Sequence, residues 1–279
     1  MAARQMAGHA EDRFAVPAQR ISIPHGYQPT RTVSVCRVLS EDPDLAEFVD
    51  PRHRARAEAN SVARTIRMPR GRWNVPGPEG LQEGIGLLVL EGLLLRQVGV
   101  DGRFGAELLG VGDLLRPWPG NDSRATLALT TGWKVLEPVR LAILDEAVAR
   151  RFADYPQLTG GLVDRALERS RNLTINMAIV HQARVNVRLR MLFWHLAGRW
   201  GRVRAEGVWL PLALTHTVLA DLVAARRPTV TTALTELARQ ELVLSAGGGW
   251  LLSGDPPGEL LELQEVGGSA APRTVATTA

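Results

Sequence analysis

The chain has 279 residues, and a single lysine, Lys134, stands among its 33 basic residues. Against 29 acidic residues these give a formal net charge of +4, and a surface rich in arginine suits phosphate binding. The one cysteine, Cys36, excludes an intramolecular disulfide framework, a four-cysteine iron–sulfur cluster and a cysteine-rich zinc site. We therefore expect a cytoplasmic protein. Residues 1–14 lack the apolar segment of a signal peptide, and the most apolar stretch, residues 84–100, is too often interrupted by polar side chains to span a membrane.

The first half of the chain predicts a leader followed by a β-roll. Residues 1–32 have no apolar periodicity, and we expect them to be mobile. The following residues predict short helical pieces, with Asp44 as an N-cap and Pro51 opening a second piece. From residue 68 to residue 138, short apolar runs are separated by turn-forming residues about every ten positions. This spacing predicts an antiparallel sandwich or roll, to which we assign residues 33–155.

A long helical region comes next. Residues 142–200 contain only one proline, and apolar or small residues recur there at alternating spacings of three and four. We assign residues 156–200 to a dimerisation helix and hinge. The predicted seam consists of Val163, Ala166, Ser170, Leu173, Met177 and Val180, and the same spacing continues to Arg184 and Val187. The alternative is a helix that packs only on its own domain, which the polar residues in the seam also allow.

Residues 201–254 predict a winged helix-turn-helix. An extended connection leads to a first helix that Thr215 can cap. Pro228 suits the first turn of a second helix, whose inward stripe consists of Val230, Ala233, Leu234 and Leu237. Residues 242–252 predict two strands around three glycines, which form the wing. We expect residues 255–279 to be a mobile tail.

The outward face of the second helix predicts contact with DNA. Arginine can read guanine bidentately, and threonine can contact phosphate, base edges or a thymine methyl group. The start of the first helix can hold a DNA phosphate. The predicted DNA-binding residues are Thr215, His216, Arg226, Arg227, Thr229, Thr231, Thr232 and Arg239. The alternative is a solvated basic face without a binding role.

Residues 214–243, LTHTVLADLVAARRPTVTTALTELARQELV, closely resemble the helix-turn-helix of the Crp/Fnr family of bacterial transcription regulators. The order of roll, long helix and winged helix is similar to that family over residues 33–254. The resemblance implies an α+β fold with an N-terminal antiparallel, jelly-roll-like β-roll, a long dimerisation α-helix and a C-terminal winged helix-turn-helix. It further implies a homodimer that binds double-stranded DNA at an inverted repeat and is not an enzyme. RNA polymerase and an unidentified small-molecule effector are further partners suggested by the resemblance.

The ligand cassette departs from the family pattern. Residues 110–115 are similar to the turn that precedes the cassette, after which the family binds cyclic nucleotides through a Gly-Glu pair. This chain has Arg116, Pro117 and Trp118 there. The proline side chain cannot accept a hydrogen bond from a ribose hydroxyl, and the tryptophan would fill space that the nucleotide needs. We therefore expect no response to cyclic nucleotides.

Three residues remain candidates for binding another ligand. Trp118 lies in the cassette, and Arg124 follows Ser123 where the family has an Arg-Ser or Arg-Thr pair for the phosphate. Thr174 lies near the position from which the dimer helix of the family contacts the base. The alternative for Arg124 is a solvated loop arginine.

The recognition helix also departs from the family pattern. Arg227, Pro228 and Thr232 stand where the best-known cyclic-nucleotide-activated member has Arg, Glu and Arg as base readers, so the operator should differ. Ala224 stands where the family commonly has glycine, which is tolerable if this turn residue keeps a negative φ.

Other chemistries lack support in the sequence. The histidines form no HxxxH or HExxH motif, Cys36 has no partner residue for a haem, and no GxGxxG, GxxxxGK or GxSxG motif occurs. We therefore expect no metal, no cofactor and no catalytic site. A different functional class is the alternative, namely a ligand-binding or scaffolding protein whose winged helix docks protein. The absence of Arg and Lys from residues 245–250 favours this alternative.

Overall fold

The computed structural model describes residues 34–75, 84–100, 103–117, 130–258 and 260. The predicted leader, Trp118, Arg124 and most of the predicted tail lie outside these residues. Among the described residues, no helix combines the length and apolar character that crossing a lipid bilayer requires.

The N-terminal half forms an antiparallel roll, as the sequence predicts. Its sheet has the strand order β1-β2-β7-β4-β5, with β3 paired to β7 and β6 paired to β4. The strands are β1 (Ser34–Arg37), β2 (Val62–Met68), β3 (Gly71–Arg72), β4 (Gly86–Val100), β5 (Arg103–Leu109), β6 (Leu114–Leu115) and β7 (Thr130–Leu144). The roll interior is lined by residues such as Val89, Leu94, Leu109, Val135 and Leu141.

Two of these strands are much longer than the turn residues in the sequence suggest. β4 and β7 each have 15 residues and pair along most of their length. The register shifts between Val89 and Leu94, and Gly92 adopts φ +87° there. A Cβ atom on Gly92 would collide with the Pro138 carbonyl group. Gly92 and Pro138 therefore mark a bulge at which two long strands bend.

Short helices flank the roll. They are α1 (Val38–Glu41), α2 (Pro43–Ala46), α3 (Pro51–Asn60) and α4 (Glu146–Phe152). Pro51 opens α3, as predicted, but the predicted N-cap Asp44 is wrong. The Asp42 carboxylate caps α2 by accepting a hydrogen bond from the Leu45 N–H at 3.0 Å, because Pro43 occupies the first helical position and places the cap one residue before it.

The long helical region consists of two helices, α5 (Pro156–Val180) and α6 (Val185–Trp200). The break at residues 181–184 ends the predicted seam at Val180, so Arg184 and Val187 do not continue it on α5. The inner face of α5 is fixed to the roll by arginines as well as by apolar side chains. Arg165 donates to the Asp42 carboxylate at 2.7 Å, and Arg169 donates to the Glu107 carboxylate at 2.6 Å.

The C-terminal part forms the predicted winged helix-turn-helix. Its elements are β8 (Arg202–Arg204), β9 (Gly207–Leu210), α7 (His216–Leu222), α8 (Arg227–Arg239), β10 (Val243–Ala246) and β11 (Gly249–Leu252). The strands form one antiparallel sheet in the order β10-β11-β9-β8. The segment that the sequence predicts as a simple extended connection is therefore a hairpin that widens the wing sheet.

The apolar core of the winged helix extends to both of its neighbours in the chain. Leu192 and Phe193 of α6 are fully buried in it, together with residues of α7 and α8. Leu260 also belongs to this core and is 1% exposed, and Arg190 donates to the Asp255 carbonyl at 2.9 Å. The prediction of a mobile tail from residue 255 is thus wrong for its first residues, because the apolar Leu260 is packed.

Candidate nucleic-acid interface

Helix α7 begins where the sequence predicts. The Thr215 hydroxyl accepts a hydrogen bond from the Val218 N–H at 3.3 Å, which satisfies one of the unpaired donors at the helix start. The inward residues Val218, Leu219 and Leu222 are buried. The helix is held by this apolar face, and it leaves Thr215 exposed and His216 half-buried at the surface.

The turn between α7 and α8 contains an alanine in the left-handed region. Ala224 has φ +49°, a conformation that costs residues other than glycine about 1–2 kcal/mol. Ala224 therefore does not keep the negative φ at which alanine is well tolerated. Neighbouring hydrogen bonds hold the turn: the Ala225 N–H donates to the Ala220 carbonyl at 3.0 Å, and Arg188 of α6 donates to the Val223 carbonyl at 3.1 Å.

Helix α8 has one buried and one exposed face. Pro228 lies in its first turn, where a missing N–H leaves no hydrogen bond unmade. The predicted inward stripe is buried and consists of Val230, Ala233, Leu234 and Leu237. The outward face is exposed and consists of Arg226, Arg227, Pro228, Thr229, Thr231, Thr232, Thr235 and Arg239. The structure thus brings together on one surface most of the residues predicted to bind DNA.

Three of the four threonine hydroxyls on the outward face of α8 donate to their own helix. Thr231 donates to the Arg227 carbonyl at 3.1 Å, and Thr232 donates to the Pro228 carbonyl at 3.2 Å. Thr235 donates to the Thr231 carbonyl at 3.0 Å. Because these bonds use the hydroxyl hydrogen, each side chain offers a partner only its oxygen lone pairs and its γ-methyl group.

One side-chain contact links the two helices of the motif. His216 Nδ1 lies 2.9 Å from Thr231 Oγ1. The two atoms form a hydrogen bond whose donor is set by the tautomer of the His216 ring. Both residues are predicted from the sequence to bind DNA, but their contact depends on how the two helices cross.

Positive charge is concentrated at the N-terminal end of α8. In the described part of the chain, no carboxylate lies within 4.0 Å of the Arg226 or Arg227 guanidinium group. Arg239 differs, because its Nη2 lies 2.7 Å from a carboxylate oxygen of Glu236 and its Nε lies 3.0 Å from the other. Hydrogen bonding to Arg239 lowers the pKa of Glu236. Arg239 is predicted to bind DNA, but Glu236 already neutralises its positive charge.

The wing itself carries no positive charge. Gly247 and Gly248 form its turn with φ +53° and +79°, and Trp250 anchors it by packing on Phe193, with the ring centroids 4.9 Å apart. Residues 243–252 contain neither Arg nor Lys.

The opposite edge of the wing sheet is basic, which the sequence analysis missed. The Arg204 guanidinium lies 3.9 Å from the ring centroid of Trp209, and that of Arg202 lies 5.7 Å from it. Val203 between them is 87% exposed. The alternation of Arg202, Val203 and Arg204 is the period-two pattern by which the strand could have been found.

Where the roll faces α5, two arginines share one buried carboxylate. Glu107 accepts from Arg169 Nη2 at 2.6 Å and from Arg96 Nη1 at 3.0 Å. An acidic residue inside an otherwise apolar strand was the available signal for this cluster, which the sequence analysis did not name. Thr174 is exposed and donates to the Ser170 carbonyl at 3.2 Å. Of the three candidate ligand residues, Thr174 is thus the one that the structure describes.

The predicted seam lies on the outer face of α5. Val163, Leu173 and Met177 are 51%, 36% and 61% exposed, and Leu167 beside them is 56% exposed. Ala166 and Ser170 are also exposed, whereas Val180 is half-buried. The helix therefore carries an uncovered apolar stripe that the single chain does not bury.

The end of α6 is tied to the turn at residues 110–113. Arg199 donates to the Val111 carbonyl at 2.8 Å and lies 2.9 Å from the Asp113 carboxylate. That carboxylate also accepts from the Gly110 N–H at 2.7 Å. Burial raises the pKa of Asp113, and the Arg199 guanidinium opposes this rise. The turn at residues 110–113 is thus linked directly to the C-terminal end of α6.

A second polar contact and a cavity lie at the same joint. Gln97 of β4 donates to the Asp221 carboxylate of α7 at 2.9 Å. A cavity of about 50 Å³ is lined by residues that include Asn176, His195 and Arg199. Burial lowers the pKa of His195 to about 4, so its ring is neutral at physiological pH. Within the described ranges, no group of His, Cys, Asp and Glu side chains is placed to hold a metal ion.

Comparison with known proteins identifies the C-terminal part of the chain. Residues 187–256 match the family of Crp-like helix-turn-helix domains. The matched segment begins within α6 and includes the motif and the wing. No curated protein matches the sequence of the chain.

Solved structures match most of the fold. A variant of CooA from Carboxydothermus hydrogenoformans has a TM-score of 0.54 and 16% identity over 74% of this chain and 88% of its own. FixK2 from Bradyrhizobium japonicum has a TM-score of 0.52 and 16% identity over 75% and 99%. CLP from Xanthomonas campestris, described as a c-di-GMP-responsive global regulator, has a TM-score of 0.51 and 16% identity over 77% and 100%. The chain therefore has the fold of Crp/Fnr-type regulators and carries a Crp-like helix-turn-helix domain.

Replacing the left-handed alanine should stabilise the protein. We expect Ala224→Gly to raise the free energy of unfolding by about 0.5–1 kcal/mol, because glycine adopts a positive φ without the steric penalty and loses only part of that gain to unfolded-state entropy. Urea denaturation measures the change. The control is Ala225→Gly, where φ is not positive and a loss of about 0.5–1 kcal/mol is expected. Destabilisation by both substitutions would contradict the prediction.

Proposed function

We propose that the chain is a homodimeric transcription regulator that binds double-stranded DNA sequence-specifically at an inverted repeat. The observation that carries this proposal is the exposed N-terminal end of α8, where Arg226 and Arg227 have no carboxylate partner among the described residues and precede a row of threonines. A helix that is apolar behind and basic at its exposed start suits the major groove. Such a regulator acts in the cytoplasm and needs no catalytic group.

The residues on this surface divide into two roles. Arg227 reads guanine through O6 and N7, and Thr229, Thr231 and Thr232 face neighbouring base pairs. Thr215, His216 and Arg226 contact phosphates and fix the orientation of the domain. Arg239 lies farther along α8, where its pairing with Glu236 favours a lesser contribution than that of Arg227.

The exposed stripe on α5 supports the homodimer. An apolar stripe of this kind on a helix is typically covered by a partner, and its spacing is that of a two-stranded coiled coil. A second copy related by a twofold axis would cover Val163, Leu173 and Met177. The same axis would place two recognition helices in successive major grooves about 34 Å apart, which explains the inverted repeat.

The break between α5 and α6 supports a hinge near residues 183–187. Arg188 donates to the Gln182 carbonyl at 2.6 Å within the break and to the Val223 carbonyl at 3.1 Å in the turn before α8. Rotation at the break therefore moves the recognition helix with it. A sensor domain that favours one of two hinge states would regulate DNA binding. An unidentified effector and RNA polymerase are the partners proposed for this step.

Cyclic nucleotides are not the proposed effector. The chain has Arg116 and Pro117 where a ribose-binding Gly-Glu pair would be needed. Glu107, buried between the roll and α5, is already neutralised by Arg96 and Arg169. Both observations support a roll that holds another ligand or only supports the dimer.

The uncharged wing favours a second candidate function, a scaffolding or ligand-binding protein whose winged helix docks protein. The two functions differ in their dependence on salt. Binding to DNA through phosphate contacts weakens steeply as salt is added, with a log–log slope of about −0.9 per phosphate neutralised. Absence of salt-sensitive binding to any duplex would favour the second function.

Selection from random duplex DNA with the purified full-length protein, without added effector, tests the proposed function. We expect an inverted repeat to be enriched. Arg227→Ala should then weaken binding to that repeat by about 1–3 kcal/mol, because a bidentate guanine contact is lost. The control Arg150→Ala removes an equally exposed arginine from the roll side and should change affinity little. Equal losses for both variants would remove Arg227 from base readout.

Disrupting the seam should separate the two protomers. We expect Met177→Glu to give a monomer in analytical ultracentrifugation at micromolar concentration and to abolish cooperative binding to the repeat, because like charges would face each other across the twofold axis. The control is Arg171→Glu, which places the same residue on an exposed part of α5 away from the seam. A dimeric Met177→Glu protein would show that α5 is not the interface.

Cyclic AMP should not stabilise the protein. A ligand at one hundred times its Kd stabilises the folded state by about 2.7 kcal/mol, which is a shift of several degrees in Tm. We expect no such shift with cyclic AMP at up to millimolar concentration in differential scanning fluorimetry. A shift of several degrees at micromolar cyclic AMP would overturn the interpretation of Pro117 and Trp118.

A further inference from the structure

We infer that α8 reads thymine through methyl contacts, with the γ-methyl groups of Thr231 and Thr232 packed against C5 methyl groups in the operator half-site. The inference rests on the proposed function and deepens it by assigning a class of base to these positions. It is carried by the hydrogen bonds that the two hydroxyl groups already make and by the chemistry of the residues around them.

Both hydroxyl hydrogens are already used. Thr232 donates to the Pro228 carbonyl at 3.2 Å, and Thr231 donates to the Arg227 carbonyl at 3.1 Å. The oxygen of Thr231 also lies 2.9 Å from His216 Nδ1, so that hydroxyl group already has two polar contacts within the protein. A base acceptor can therefore gain a hydrogen bond from either residue only if an existing one is broken. The methyl group of each side chain is available without such a loss, whereas the oxygen can still accept a hydrogen bond but cannot donate one.

The surroundings of these threonines favour an apolar contact. Residues 228–235, PTVTTALT, form eight consecutive positions without a charge or an amide side chain. Pro228 and Thr235 lie one turn before and one turn after Thr231 on the same exposed face. The pyrrolidine ring of Pro228 and the methyl group of Thr235, whose hydroxyl donates to the Thr231 carbonyl at 3.0 Å, lengthen the apolar surface.

Thymine is the base that matches such a surface. In the major groove, guanine presents only acceptors, and neither Thr231 nor Thr232 has an uncommitted hydroxyl hydrogen with which to satisfy them. Thymine alone presents a methyl group, and threonine methyl groups contact it in known complexes. Arg227 at the start of the helix supplies the donors that guanine needs. The expected half-site therefore combines a guanine at the Arg227 position with thymines at the positions beside it.

Replacing thymine by uracil removes the methyl group without changing any hydrogen bond. The repeat selected by the full-length protein is synthesised with uracil in place of thymine at one half-site position at a time, in both halves. Kd is then measured for each of these duplexes by fluorescence anisotropy. We expect replacement at one or two positions to weaken binding by about 3- to 10-fold, the effect of one lost methyl contact in each half-site. This measurement uses the unaltered protein, so it does not depend on how a variant folds.

Two variants of Thr232 separate the methyl group from the hydroxyl group. Thr232→Val keeps a branched side chain and should bind within about 2-fold of the original protein, with the same loss on uracil. Thr232→Ser keeps the hydroxyl group and should bind the thymine site about 3- to 10-fold more weakly, with no further loss on uracil at the contacted position. Circular dichroism melting confirms that each variant retains its helices.

The outcomes distinguish this inference from the proposed function. If a repeat is selected but uracil changes Kd at no position, or if the serine variant binds as tightly as the original protein and the valine variant does not, the methyl contact is wrong and the hydroxyl group does the reading. If no repeat is selected under any condition, the proposed function fails, and the inference fails with it.

Discussion

The apolar surface of α6 has to be buried on two sides at once, and this requirement organises the molecule. Leu189, Met191, Leu192 and Phe193 are fully buried. Their core includes residues of α7, α8 and the wing sheet, and it extends to Leu93, Leu95 and Leu108 of the roll. At about 25 cal/mol for each Å² of apolar surface removed from water, covering both sides of one helix is a large contribution to stability. Because α7 and α8 pack on α6 with their apolar faces, the face of α8 that carries Arg227 is left exposed.

Polar contacts give this apolar joint a fixed geometry. Arg199 joins the end of α6 to the turn at residues 110–113, and Gln97 joins β4 to Asp221 of α7. Asp113 is 7% exposed, and a carboxylate so buried requires both its guanidinium partner and its backbone donor. Movement of the turn would alter the support of α6 and, through Arg188, the support of the turn before α8. The roll and α8 are therefore connected by side-chain contacts as well as by the chain.

The recognition surface combines two chemistries in a short length of helix. Arg226 and Arg227 provide positive charge and hydrogen-bond donors at the helix start, the part of α8 that is proposed to enter the major groove. Thr231, Thr232 and Thr235 present methyl groups, because their hydroxyl hydrogens are held by carbonyl groups one turn earlier. The uncharged wing and the Arg239–Glu236 pair leave few other sources of affinity on this face. Binding and specificity are therefore proposed to depend on the first two turns of α8.

The sequence by itself determined the parts of this protein that rest on local patterns. The cap at Thr215, Pro228 in the first turn of α8, its inward stripe and the glycine turn of the wing follow from residue types at fixed spacings, since capping, helical periodicity and positive φ are local properties. The order of roll, helices and winged helix was also available in the sequence.

Tertiary structure decided the rest. The heptad spacing continued past Val180, but the helix ends there and Arg188 holds the break against the turn before α8. Gly92 marks a bulge within a long strand, because β4 and β7 continue to pair beyond it. Ala224 adopts a positive φ, and Leu260 is buried, because each is placed by contacts with residues distant in the sequence, which no local pattern encodes.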